Sequence, residues 1–311
     1  MTTTPSRLAV VDVGSNSVRL FLCEGADETG PMGERFTTVT GLRRGAAADG
    51  TLAEAALERL DACLTGYGER LAAFGPVPVL AVGTSAVRDA PNRDRVDAIV
   101  EARLGASLTV LGGDQEAAVS FAGARLGVGG VEPILVLDIG GGSTELVRGR
   151  ALPDDAISLQ LGAVRQTERH LASDPPTAAE VAAVRAEARA AVDAALAAFG
   201  TFTDIVGVAG TITTLVAIEI GGYDRDRVHR HVLTRATVER ITAELAALPL
   251  ERRREVPGLE PERARVIVAG ALIAAAVLDS TGRDAMVVSE RDLLDGVVLA
   301  AWDPSIDLFR L

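Results

Sequence analysis

Two short stretches carry the residues best suited to chemistry. Asp12-Val13-Gly14-Ser15-Asn16-Ser17-Val18-Arg19-Leu20 aligns without gaps on Asp138-Ile139-Gly140-Gly141-Gly142-Ser143-Thr144-Glu145-Leu146. Asp, Gly, Ser and Leu are identical in the two copies, and each copy lies between two runs of strand character. A turn of Gly and Ser lets successive backbone N–H groups converge on an anion, because no Cβ obstructs the approach, and the hydroxyls add donors. Gly14, Ser15, Asn16 and Ser17 therefore form one candidate phosphate loop, and Gly140, Gly141, Gly142 and Ser143 a second. The Asp that opens each copy, Asp12 or Asp138, would repel phosphate directly. It makes sense as a holder of a divalent cation, usually through water when the ion is Mg²⁺. One copy alone is most simply a tight hairpin; two gap-free copies, both keeping the Asp, favour the phosphate reading.

Three further stretches could complete such a site. Gly83-Thr84-Ser85-Ala86-Val87-Arg88-Asp89 places Arg88 just beyond small residues after a strand, where a guanidinium can bind phosphate oxygens in a bidentate way. A surface ion pair with Asp89 or Asp94 is the ordinary alternative for this Arg. Gly112-Gly113-Asp114-Gln115-Glu116-Ala117 opens a helix, so Glu116 sits where the helix dipole favours a carboxylate. In a dry cleft it would be a base for an attacking water. Gly210-Thr211-Ile212-Thr213-Thr214 starts a helix after a strand at 205–208, and its amides and hydroxyls could bind an anion or simply cap the helix.

The elements that must position these residues alternate along the chain. Strands are expected at 8–13, 18–23, 77–82, 108–111, 134–139, 143–150, 156–161, 205–208 and 285–288. Helices are expected at 53–74, 92–104, 116–126, 236–247, 261–278 and 291–301, with two Ala-rich helices after Pro175-Pro176 and after Gly210-Thr211. The class is α/β. The repeat spacing implies two similar lobes, 1–125 and 126–311, joined near the Gly-rich stretch 123–132 and facing each other across a cleft.

Composition bounds the function. At 311 residues, with 48% hydrophobic and 24% charged residues, two soluble domains are the natural expectation. No apolar run reaches the roughly 18 residues of a membrane span; 266–278 suits a buried core helix. A short polar leader followed at once by a strand shows no signal peptide, and Cys23 and Cys63 lack metal or disulfide spacing, so a cytoplasmic protein with free core thiols is expected. Lys+Arg 31 against Asp+Glu 43 gives −12, so the molecule repels polyanions at long range, and neither a nucleic-acid nor a membrane partner is expected. A polyanionic ligand needs a local basic patch, a metal or backbone amides. Every basic residue besides His is Arg, which excludes a phosphate-loop lysine and a Schiff-base lysine.

DVGSNSVRL, GTSAVRDAPN, GGDQEA, DIGGGSTEL, SLQLGAVRQTE, AGTITTL, PGLEPERARVIVAG and VSERDLLDG run in order from Asp12 to Gly296. With them the sequence resembles the exopolyphosphatase/guanosine pentaphosphate phosphohydrolase (Ppx/GppA) family, of the actin, sugar-kinase and heat-shock ATPase superfold, which is ribonuclease H-like and has an interdomain cleft. The resemblance implies that Glu116 is the catalytic base and Arg88 the cation on the transferred phosphate. It also implies that Asp138 and Glu145 lie near a divalent metal, and that the two Gly–Ser loops bind phosphate. It further implies that helix 291–301 packs back on the first lobe, and that a homodimer can form. Many members carry paired glutamates where this chain has Gln115-Glu116, and a Val-His-Gly segment where it has Val228-His229-Arg230-His231. Ending at Leu311 with three His, the chain reads as the short, two-domain form. Inorganic polyphosphate is the expected substrate, because aromatics at 3% offer few partners for stacking a base. Guanosine pentaphosphate is the alternative. A kinase or ATPase, or a non-catalytic sensor of the same superfold, are the further readings.

Overall fold

The computed structural model describes residues 7–27, 30–128, 132–150 and 153–303. These form two α/β units: one holds the described residues up to Leu126 and from Leu293 onward, the other is Gly127–Asp292.

In the first unit, β1 (Leu8–Val13), β2 (Ser17–Asp27) and β3 (Gly30–Val39) form an antiparallel meander. The chain continues through α1 (Glu54–Phe74), β4 (Val79–Gly83), α2 (Ser85–Arg88), α3 (Arg93–Leu104), β5 (Leu108–Val110) and α4 (Gly113–Ala124). β4 and β5 join the meander in parallel, giving the order β3-β2-β1-β4-β5. Every residue of β1 is buried because both faces of the sheet are covered. Ala9, Val11 and Val13 pack with Leu57, Leu60 and Leu64 of α1, while Leu8 and Val10 pack with Ala118 and Val119 of α4. Alternation along the strand therefore puts Asp12 on the α4 face.

The second unit repeats the plan. β6 (Ile134–Ile139), β7 (Thr144–Gly149) and β8 (Pro153–Leu159) are antiparallel and are followed by α5 (Ala163–His170) and α6 (Ala178–Leu196). Then come β9 (Asp204–Val208), α7 (Ala209–Ile220), α8 (Arg225–Val228), β10 (Val232–Thr234), α9 (Arg235–Ala247), α10 (Leu250–Arg253), α11 (Ile267–Thr281) and β11 (Ala285–Val288). The sheet order is β10-β11-β9-β6-β7-β8. α11 is buried from Ile267 to Leu278, the core helix expected from its apolar run. The last helix, α12 (Leu293–Trp302), belongs to the first unit and packs on α4. Among the described residues, no helix is long and apolar enough to cross a membrane.

Several elements depart from the sequence reading, and the short α2, α8, β10 and α10 were not among those expected. β3 was not expected: this edge strand lacks a clean apolar alternation, and its Arg35 points inward to stack on Phe21 and pair with buried Asp295 at 2.6 Å. α5 was not expected either, because its eight residues carry charges through a short amphipathic turn. The helix expected at 261–278 is split into a 3₁₀ turn, Pro261–Arg263, and α11. Cys23 is buried and Cys63 partly so, both free thiols.

One buried cation holds the second unit's helical layer. Arg253 donates from Nε to Leu245 O at 2.9 Å, from Nη1 to Ala264 O at 3.1 Å and from Nη2 to Leu248 O at 2.7 Å, which caps the C-terminal end of α9. Burial pushes its pKa down from the usual arginine value. Arg253→Met should cost about 2–3 kcal/mol, because buried carbonyls lose their donors. The check is urea unfolding followed by circular dichroism; a loss under about 0.5 kcal/mol, the size of an ordinary surface substitution, would contradict this role.

Candidate active site

In the first unit, the loop Gly14–Ser17 closes β1 onto β2 through a Gly14 N–H to Ser17 O bond of 3.0 Å, with Ser15 and Asn16 at the tip. The tip carbonyls are taken from behind: Arg43 N–H donates to Ser15 O at 3.1 Å and Gly41 N–H to Asn16 O at 2.8 Å. In a planar trans peptide, C=O and N–H point in opposite directions, so the N–H groups of Asn16 and Ser17 face away from residues 41–43. The Ser15 hydroxyl shares a buried 3.1 Å hydrogen bond with the Ser85 hydroxyl, which ties the loop to the start of α2.

Glu116 lies in the first turn of α4 and is 7% exposed. Arg88, at the end of α2, donates from Nη1 to Glu116 Oε2 at 2.8 Å and to Leu111 O at 2.9 Å. Asp89 stands further from this guanidinium, at 3.9 Å. Arg88 is thus joined to the candidate base rather than spent on a surface pair. Gln115 accepts from the Gly112 N–H at 2.9 Å, so its amide oxygen caps α4 as a carboxylate would. That explains why glutamine suffices at this position.

In the second unit, Gly140 N–H donates to Ser143 O at 3.0 Å, the same closure as in the first loop. Here α5 holds the carbonyls: Ala163 N–H donates to Gly140 O at 2.9 Å and Val164 N–H to Gly141 O at 2.8 Å. The approach needs glycine at 162, where a Cβ would come within 2.4 Å of Gly141 O. The N–H groups of Gly141, Gly142 and Ser143 therefore point together away from α5, a preorganised concavity for an anion.

Register separates the two Asp residues. Asp12 stands opposite Arg19, which donates from Nε to its Oδ2 at 2.9 Å. Asp138 stands opposite Glu145, and the two are 8% and 1% exposed. Ser158, next across the sheet, donates to Glu145 Oε1 at 2.8 Å. Like charges directly opposite in a ladder repel. A hard divalent cation offsets that repulsion, and Mg²⁺ takes one or two carboxylates and completes its shell with water and phosphate oxygens. The donor set of Asp138 and Glu145 fits such an ion. Among the described residues, no group of three or more His, Cys, Asp or Glu gathers to cage a metal. Asp12, expected as a third metal carboxylate, pairs through Oδ2 with Arg19 at 2.8 Å.

Just before Gly210-Thr211, Ala209, the first residue of α7 after β9, adopts φ 62°, a left-handed conformation sparsely populated by non-glycine residues. The Thr211 hydroxyl donates to Ile139 O at 3.0 Å, so it braces the end of β6. The Arg263 guanidinium lies across Gly210, where a Cβ would come 2.2 Å from Nη1. Sequence reasoning assigned nothing to Arg19, Arg165 or Arg263. The signal for Arg19 was present in the repeat, where it aligns with Glu145 and reverses the charge.

Two units built on one sheet plan, each closing its first hairpin with an amide-lined loop, define an α/β protein of two similar units. The Ppx/GppA phosphatase family model matches residues 31–303, and the chain belongs to that family. It is 36% identical over 314 residues to Exopolyphosphatase 2 of Mycobacterium tuberculosis, covering 95% of this chain and 98% of the relative. It is 30% identical over 318 residues to Exopolyphosphatase 1 of Mycobacterium bovis, covering 97% and 90%. A crystal structure of the Ppx/GppA family member of Aquifex aeolicus superposes with a TM-score of 0.79 at 30% identity, covering 95% of this chain and 97% of that one.

Proposed function

We propose that the protein is a cytoplasmic exopolyphosphatase, which releases terminal orthophosphate from inorganic polyphosphate by water attack. The observation that carries this reading is the Arg88–Glu116 contact of 2.8 Å, which joins a buried carboxylate to a guanidinium of the kind that binds phosphate. The similarity to the two mycobacterial exopolyphosphatases supports it.

Phosphoryl transfer to water needs positioning and charge neutralisation more than covalent chemistry. In each unit a loop offers amides to phosphate oxygens, those of Asn16 and Ser17 in the first and those of Gly141, Gly142 and Ser143 in the second. Arg88 turns from Glu116 to the terminal phosphate and offsets its charge. Glu116, so released, orients a water and accepts its proton as the water oxygen bonds to phosphorus. The bridging P–O bond breaks, and the shortened chain leaves with the electron pair. Asp138 and Glu145 would hold Mg²⁺, which when bound supplies further neutralisation of phosphate charge. Asp12 keeps Arg19 in place rather than a metal.

Phosphate release should be compared for short-chain polyphosphate, long-chain polyphosphate, guanosine pentaphosphate and ATP, each with Mg²⁺. Polyphosphate is expected to give the highest kcat/KM. Guanosine pentaphosphate ranking first would replace the substrate, and turnover of ATP alone would point to an ATPase or kinase.

A further inference from the structure

The two phosphate loops are anchored by different means. In the first, the carbonyls of Ser15 and Asn16 are both held by backbone N–H groups, those of Arg43 and Gly41. In the second, backbone N–H groups of α5 hold Gly140 O and Gly141 O, but Gly142 O accepts from the side chain of Arg165, at 2.7 Å from Nε. Gly142 is the counterpart of Asn16 in the repeat, so a side chain here does what the main chain does there.

The difference has a physical consequence. Gly141 and Gly142 are adjacent glycines with wide backbone freedom, so their peptides can rotate unless held. The carbonyl of Gly142 and the N–H of Ser143 belong to one planar unit, so a donor that fixes the first aims the second the opposite way. Arg165 is also the third residue of α5, and its own N–H donates to Gly141 O at 3.1 Å. A cation in the first turn of a helix opposes the helix dipole, so helix stability does not explain an arginine at this place. The loop does.

We infer that Arg165 is a positioning residue for the second phosphate loop: its guanidinium locks the Gly142–Ser143 peptide with the Ser143 N–H turned toward the bound phosphate. The inference rests on reading that loop as a phosphate site. It acts through the peptide, not through contact with the reacting atoms. An anion held by a preset amide costs no loop ordering on binding, and losing one such donor corresponds to about tenfold in affinity.

The test uses the full-length protein, with Mg²⁺ present. Binding of a methylene-bridged triphosphate is measured by calorimetry for the wild type and Arg165→Ala, beside kcat and KM for tripolyphosphate and the thermal midpoint. The variant is expected to bind about tenfold more weakly and to show a KM raised by the same factor. Its kcat should change less, and its thermal midpoint should fall by no more than about 4 °C, since relief of the cation at the helix start offsets part of the lost hydrogen bond. Free guanidinium ion should restore binding, while ammonium at equal ionic strength should not. Unchanged binding in Arg165→Ala would overturn the inference, as would weakened binding that tracks a lowered midpoint and is not rescued by guanidinium. A wild type that neither binds the analogue nor releases phosphate would instead overturn the reading of the loop itself.

Discussion

Glu116→Gln is expected to lower kcat for phosphate release by about 10²- to 10⁴-fold, the usual contribution of a positioned general base. KM should stay within about threefold, because in the proposed mechanism loop amides and Arg88, not the carboxylate, hold the substrate. The size follows from the surroundings. Glu116 is 7% exposed in the first turn of α4, and its carboxylate accepts from the Arg88 guanidinium at 2.8 Å. Gln keeps the shape and can still accept from Arg88 through its amide oxygen, but it cannot take a proton from water. Steady-state kinetics decide the matter. A kcat within about fivefold of wild type would remove Glu116 from the chemistry, since it falls far short of a base's contribution.

Asp138→Ala is expected to raise the Mg²⁺ concentration for half-maximal activity by at least about 10- to 100-fold, the cost of losing even a group that only supports a metal ligand. The same titration on Asp12→Asn should match wild type, although the two Asp residues occupy equivalent places in the repeat. The contrast comes from register. Asp138 stands opposite a second carboxylate, Glu145, whereas Asp12 stands opposite Arg19, 2.8 Å away. One position faces a second carboxylate across the ladder and the other faces an arginine. Equal shifts in both variants would contradict this asymmetry, and an unchanged titration in Asp138→Ala would remove the metal from that strand pair.

Much of this was legible in the sequence, for identifiable reasons. β1 and β6 are short, fully buried strands with Asp as the penultimate residue, and their apolar runs fixed both their bounds and the hairpins that follow. The Gly-Ser loops were readable because a two-residue closure leaves little choice of residue. α11 was legible from its unbroken apolar stretch, but its start was not, since Pro261 sets up a separate turn before it. β3 escaped because an edge strand with an inward Arg35 shows no period-2 pattern, and that arginine is explained only by Asp295, distant in sequence. Tertiary pairing also decided which polar groups were already engaged. The Thr211 hydroxyl looked like an anion donor until Ile139 O was placed beside it, and the anchoring side chain of Arg165 is visible only once α5 is seated on the glycine loop.

The central claim is that this chain removes phosphates from the end of polyphosphate with Glu116 as the base. The most direct measurement incubates polyphosphate of a single chain length with Mg²⁺ and protein, then resolves the remaining chains by gel electrophoresis while orthophosphate is quantified. Orthophosphate as the sole small product, with chains shortening stepwise for the wild type and standing unchanged over the same interval with Glu116→Gln, is the predicted result. Internal fragments without orthophosphate, or equal shortening by both proteins, would contradict the account.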